Sequence, residues 1–135
     1  MYRQDLMTTM QGRLLTVAGV AESLVGLAFL FAPGVTTALL LGAEPDSVGL
    51  MIARVAGVAL LSLGITCWGG RADAGGAARM GTLRAITLYN AGAGLLLLIF
   101  AVMGKVGGPV VWTVGVLHVA FAAAFAASQR QTGRR

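Results

Sequence analysis

Four long runs of apolar residues constrain this chain more than any other feature of its sequence. They cover about residues 14–32, 48–68, 83–103 and 109–127. Each run is close to the ~20 residues with which an α-helix crosses the hydrocarbon core of a bilayer. Spanning β-strands would instead alternate apolar and polar residues over segments of ~10 residues. The sequence therefore predicts an all-α integral membrane protein, folded as a four-helix up-and-down bundle.

The composition favours one membrane domain over residues 1–135. Charged residues are 11% of the chain, whereas a soluble domain carries about 25%. A soluble fold of this composition would lack the polar side chains needed to cover its surface. The single cysteine, Cys67, excludes an internal disulfide and a CxxC motif, and we expect it to pack as a small apolar residue.

Two shorter segments flank the first apolar run. Residues 1–13 mix polar and apolar side chains, which favours a short interfacial helix. Pro33 and Gly34 end the first run. Residues 35–42 are too apolar for a solvated loop and too few to cross a membrane. We therefore expect a second short helix there, lying in the interface.

The arginines are concentrated on one predicted side of the membrane. Eight of the nine lie in the N-terminal segment, in the 69–84 region and in the C-terminal tail, whereas the other two connections contain a single basic residue, Lys105. Cytoplasmic connections of membrane proteins are enriched in Lys and Arg. This pattern predicts that both termini are cytoplasmic. It also accounts for the net charge of +5 without a nucleic-acid partner.

Each apolar run contains one strongly polar residue. These are, in chain order, Glu22, Arg54, Asn90 and His118. A charge that faces lipid is costly, and polar residues inside spans commonly mark functional sites. Small residues lie about one helical turn from each of them and favour close helix contacts, so we expect all four in the bundle interior. Together with Tyr89, they form the predicted ligand-binding set.

Side-chain direction refines the expected contacts within this set. Side chains on a helix lean toward its N-terminus. Glu22 should therefore lean toward Tyr89 and Asn90, whereas Arg54 and His118 should lean toward each other. A direct ion pair between Glu22 and Arg54 would require Arg54 to bend back.

Two interpretations of the set stay open. The residues form either a buried polar network that fixes helix packing, or the polar floor of an apolar cavity that binds a lipid-soluble molecule or relays protons. Haem ligation by His118 is disfavoured, because the chain has one histidine and bis-histidine ligation would need a homodimer. Glu22 and His118 are too few ligands for a closed metal site, so no metal is predicted. No arrangement of Ser, Cys or His suggests nucleophilic catalysis, so catalytic residues stay unassigned and enzymatic activity stays open.

The first two runs share a short internal similarity. The sequence of Val17–Ala21 recurs in Val55–Ala59, and Gly26 then matches Gly64 at the same offset. Gene duplication and chance in a chain rich in Ala, Val and Gly are alternative explanations.

Several motifs resemble a known group of membrane proteins. Phe31–Gly34 closes the first run, Leu41-Gly42 ends the apolar segment after it, and the second run contains Arg54–Gly57 and Leu63–Ile65. With two further apolar runs, this pattern resembles the small bacterial four-helix membrane proteins called DoxX-like, including the DUF4345-type families. The resemblance implies a bacterial cytoplasmic (inner) membrane location and a link to quinone-coupled redox complexes or accessory roles.

These observations lead to one functional expectation and two alternatives. We expect a small membrane subunit that binds a lipid-soluble molecule, a quinone or a lipid, in a pocket inside the bundle. One alternative is a structural or assembly subunit of a larger membrane complex. The other is an oligomeric proton-coupled transporter. The expected partners are membrane lipids, the lipid-soluble molecule, and other subunits or further copies of this chain.

Overall fold

A computed structural model describes residues 2–74 and 76–132 of the chain. The described residues form a short helix and a bundle of long helices, and the loops between them contain no strand. The helices are α1 (Tyr2–Phe31), α2 (Pro33–Leu41), α3 (Ser47–Gly70), α4 (Ala77–Val102) and α5 (Val111–Thr132).

Four of these helices are long and apolar enough to cross a membrane. The candidate spans are Thr8–Phe31, Ser47–Gly70, Ala77–Val102 and Val111–Arg130. Large apolar side chains cover the outside of the bundle; Leu88, for example, is 75% exposed. Such a surface requires lipid rather than water around it. The all-α, multi-pass membrane prediction is therefore confirmed, whereas the cytoplasmic location of the termini stays a prediction.

The structure differs from the predicted segments mainly at the N-terminus. Within the described residues, α1 is continuous from Tyr2, so the separate interfacial helix predicted over 1–13 is instead the first turns of a longer helix. No proline interrupts the chain before Pro33, and Gly12, the one glycine within residues 1–13, is tolerated inside a helix. The predicted short segment after Pro33 is present as α2, while its depth in a membrane stays a prediction.

Glycines bring α1 and α3 into close contact. A Cβ atom on Gly19 would lie 3.1 Å from the Gly64 carbonyl oxygen, and one on Gly26 would lie 2.8 Å from the Gly57 carbonyl oxygen. The matching glycines of the two similar segments therefore pack against each other in antiparallel order. This arrangement confirms the predicted use of small residues in helix contacts. Cys67, next to Gly19, is fully buried as expected.

The second close pair is α4 with α5. A Cβ on Gly94 would lie 3.0 Å from the carbonyl oxygen of Gly115. An apolar core then joins the two pairs. Its buried residues are Leu15, Ala18, Cys67, Leu83, Ile86 and Phe125.

The two ends of the bundle differ in what they contain. We call the end with α2 and the α4–α5 connection the α2 end, and the opposite end, with the start of α1 and the α3–α4 connection, the terminal end. At the α2 end, α2 stops at Gly42, whose φ of 84° lies in the left-handed region that glycine adopts without strain. The Gly107 N–H then donates to the Leu41 carbonyl oxygen at 3.0 Å. This bond fixes the α4–α5 connection against α2.

Candidate functional site

Four polar side chains meet between α1, α4 and α5. We call Glu22, Tyr89, Asn90 and His118 the polar cluster. Glu22 is 6% exposed and Asn90 is 2% exposed, while Tyr89 and His118 are half-buried. Four of the five residues predicted from the sequence are thus brought together, because each lies on the face that its helix buries.

Asn90 and His118 form the best-defined contact of the cluster. The Asn90 Nδ2 amide donates to the Ile86 carbonyl oxygen at 2.9 Å, so its Oδ1 faces the ring of His118 as an acceptor. The distance from His118 Nδ1 to Asn90 Oδ1 is 2.8 Å. This geometry assigns the proton to Nδ1. In the neutral ring, Nε2 is then left as an acceptor.

Tyr89 connects the remaining members. Its ring meets the His118 ring edge to face, with centroids 5.5 Å apart and an interplanar angle of 84°. Its hydroxyl lies close enough to the Glu22 carboxyl for the two groups to interact. The predicted approach of Glu22 to Tyr89 is confirmed. The predicted approach of Glu22 to Asn90 is not seen, because the Asn90 amide bonds to Ile86 and His118 instead.

Arg54 lies apart from the cluster. It is exposed on α3, so its predicted location in the bundle interior is wrong, as is its predicted contact with His118. The buried seam of α3 runs instead through Ala53 and Gly57. A residue next to Ala53 is rotated by about 100° around the helix, which takes Arg54 out of the seam. Its long side chain can reach toward the membrane interface from this position.

The polar cluster provides a compensated network inside the bundle. Asn90 and His118 hold α4 against α5, and Glu22 with Tyr89 holds α1 against α4. No group of three or more potential metal ligands occurs among the described residues. Neither cavity described below is lined by a member of the cluster. A role of Glu22, Arg54, Tyr89, Asn90 and His118 in ligand binding stays a prediction.

A largely apolar cavity of about 490 Å³ lies at the α2 end. It is bounded by α1, α2, α3 and the α4–α5 connection. Its apolar lining comes mainly from Phe29, Leu41, Ile52, Ala53, Ala56 and Val106. Phe29 is seven residues beyond Glu22 on α1, which puts the cavity ~10 Å from that carboxyl along the helix. We call this space the α2-end cavity.

Three polar side chains belong to residues that line the α2-end cavity. Glu44 and Lys105 lie on the connections that bound it and are both exposed. Thr37 lines it from α2, and its Oγ1 is buried without a hydrogen-bond partner among the described residues. A buried hydroxyl with no partner is costly and calls for an explanation. The sequence offered one signal for this site, the excess of apolar residues over 35–42, but none for Thr37.

The chain matches no protein-family model, no curated protein and no solved structure. The resemblance to DoxX-like proteins therefore stays a prediction.

Proposed function

We propose that this small integral membrane protein binds one amphiphilic, lipid-soluble molecule in the α2-end cavity. The observation that carries the proposal is the largely apolar cavity itself, which Thr37 lines and beside which the Thr37 Oγ1 is buried without a partner among the described residues. A cavity of about 490 Å³ is within the ~300–1,000 Å³ range of small-molecule sites. Such sites combine an apolar lining with a few polar groups that orient the ligand.

The chemistry of the cavity favours a phospholipid that carries both an amine and a phosphate. Its alkyl chain contacts Phe29, Ile52 and Ala56, while the head lies near the opposite charges of Glu44 and Lys105. Rotation of the Thr37 side chain about its Cα–Cβ bond lets the buried hydroxyl donate to an oxygen between the alkyl chain and the headgroup. A quinone, as the sequence suggested, would use the same lining and the same hydroxyl but neither charge.

The polar cluster supports this function by keeping the helices in register. Its groups bond to one another and to the backbone, which makes it a packing device. A structural or assembly subunit would need this cluster but not the α2-end cavity. A transporter would need a route past Glu22 and His118. The occupancy of the cavity therefore distinguishes the proposal from both alternatives.

Filling the cavity should abolish the bound molecule. Ala56 lines the cavity and is half-buried, whereas Ala59, three residues further along α3, is exposed. We expect wild type and Ala59→Phe to retain one amphiphile per chain after gentle extraction, and Ala56→Phe to lose it. Native mass spectrometry measures the stoichiometry, and the released mass separates a phospholipid from a quinone. Equal retention of the same molecule by Ala56→Phe and Ala59→Phe would contradict the proposal.

A further inference from the structure

A second cavity, of about 350 Å³, lies at the terminal end of the bundle. The start of α1 and the α3–α4 connection bound it. Its lining residues are Thr8, Thr9, Gly12, Arg71, Ala74 and Arg79. Among the described residues that line it, two are arginines and none is acidic. Unlike the α2-end cavity, this space therefore has the electrostatic character of an anion site.

Arg79 is a buried cation, with 3% of its surface exposed. Its Nε donates to the Gly70 carbonyl oxygen at 3.1 Å, and its Nη1 donates to the Thr8 carbonyl oxygen at 3.0 Å. Its Nη2 donates to the Arg71 carbonyl oxygen. These bonds use one N–H of each nitrogen, so one further N–H remains on each terminal nitrogen. Carbonyl groups satisfy hydrogen bonds but do not neutralise the positive charge.

The carboxylate of Asp73, next to this cavity, bonds to the backbone at the start of α4. Asp73 Oδ2 accepts from the backbone N–H groups of Ala78 and Arg79, at 3.0 and 3.3 Å, and so caps the start of α4. The second guanidinium, that of Arg71, lies over the Trp68 ring, 3.8 Å from its centroid. This cation–π contact holds the Arg71 charge in a fixed place beside the cavity. Arg71 and Arg79 thus both line a space whose described lining residues include no carboxylate.

We propose that the terminal-end cavity binds a phosphate oxyanion, supplied either by an anionic phospholipid headgroup or by free phosphate. Guanidinium groups bind phosphate oxygens through parallel, charge-assisted hydrogen bonds. The cavity lies at the ends of the spans, at the level where lipid phosphates occur. The site is separate from the α2-end cavity and does not depend on the function proposed for it.

The test compares phosphatidylglycerol with phosphatidylcholine of identical chains, each titrated into the detergent-purified full chain and counted by native mass spectrometry. We expect phosphatidylglycerol to bind about tenfold more tightly, since a charge-assisted bond contributes on that scale. Arg71→Gln should lower its affinity about tenfold. Gly12→Leu should do the same by filling the cavity, because the Gly12 Cβ position is only 3.7 Å from the Arg79 Nη2.

Matched controls separate this site from general surface charge. Arg84 and Gly81 are exposed on α4, and a Cβ on Gly81 meets nothing within 4 Å. Arg84→Gln and Gly81→Leu should therefore bind like wild type. Displacement of the lipid by inorganic phosphate would identify free phosphate as the ligand, and persistence of the lipid would identify the headgroup. Equal affinity for the two lipids, or equal losses in Arg71→Gln and Arg84→Gln, would overturn the proposal.

Discussion

Replacing Gly57 with alanine is expected to destabilise the folded protein by ~2–3 kcal/mol, the upper part of the range for overpacked sites. The added Cβ would lie 2.7 Å from the Gly26 carbonyl oxygen and 2.9 Å from the Leu30 nitrogen. Both are backbone atoms, so no side-chain rotation relieves the contact. The helices α1 and α3 must move apart, and the neighbouring contact between Gly19 and Gly64 must loosen with them.

The same helix provides a control for the Gly57 substitution. A Cβ on Gly69 of α3 meets nothing within 4 Å, so Gly69→Ala should leave stability unchanged or raise it through the better helix propensity of alanine. The free energy of unfolding can be measured for both variants in mixed micelles of increasing SDS fraction. Equal stabilities of Gly57→Ala and Gly69→Ala would show that α1 and α3 do not meet at these glycines.

Replacing Arg79 with methionine is expected to cost ~3 kcal/mol or more of unfolding free energy. The substitution keeps much of the apolar stem but removes the donors to the Thr8, Gly70 and Arg71 carbonyl oxygens. Two of those carbonyls lie at the end of α3 and its cap, and the third belongs to α1. The variant therefore loses three hydrogen bonds where α1, α3 and α4 meet.

Arg84→Met is the matched substitution for Arg79→Met. Arg84 is exposed on the same helix, so its replacement should change stability by no more than ~0.5 kcal/mol. The two variants are compared in the same SDS titration. If Arg79→Met loses no more stability than Arg84→Met, then the three hydrogen bonds of Arg79 do not stabilise the contact between α1, α3 and α4.

The fold followed from the sequence because hydropathy and small-residue spacing act locally. Apolar runs of spanning length can satisfy their backbone only as helices inside a membrane. Gly19 and Gly26 are seven residues apart, and so are Gly57 and Gly64, which places each pair on one helix face. That spacing predicted helix faces able to pack closely, but it predicted neither the pairing of α1 with α3 nor how the two helix pairs lie against each other.

The site was predicted in part, and its errors have a physical origin. Lean toward the helix N-terminus correctly placed Glu22 near Tyr89. The sequence-based placement failed for Arg54, because the buried face of α3 is narrow. A residue about 100° around the helix from Ala53 already lies outside that face. The sequence pattern of one helix also cannot decide between two acceptable hydrogen-bond partners. Asn90 was expected to face Glu22, but its side-chain amide bonds to His118 instead.

The cavities could not be predicted in the same way. The α2-end cavity exists because α2 folds beside α3 and the Gly107 N–H draws the α4–α5 connection onto Leu41. Its residues come from parts of the chain that are distant in sequence. The apolar residues over 35–42 predicted a short helix in the interface, but they did not predict a cavity beside it. Likewise, the buried state of Arg79 depends on carbonyls at the ends of two other helices.

The ligand site at Thr37 can be tested most directly by a substitution whose stabilising effect disappears when ligand is added. Thr37→Val keeps the shape of the side chain and removes its buried, unpartnered hydroxyl. The delipidated variant should therefore be more stable than wild type by ~1 kcal/mol. Added short-chain phosphatidylethanolamine should stabilise it less than it stabilises wild type, by a similar amount, because the hydrogen bond to the ligand is lost.

Thr36→Val serves as the control, because the Thr36 hydroxyl donates to the Ala32 carbonyl oxygen at 2.8 Å. It should gain no stability without lipid and should respond to lipid as wild type does. The decisive measurement is the unfolding free energy of Thr37→Val with and without phosphatidylethanolamine. We expect Thr37→Val to be more stable than wild type without the lipid and to gain less stability than wild type with it. An undiminished gain from the lipid in Thr37→Val would contradict the proposed site.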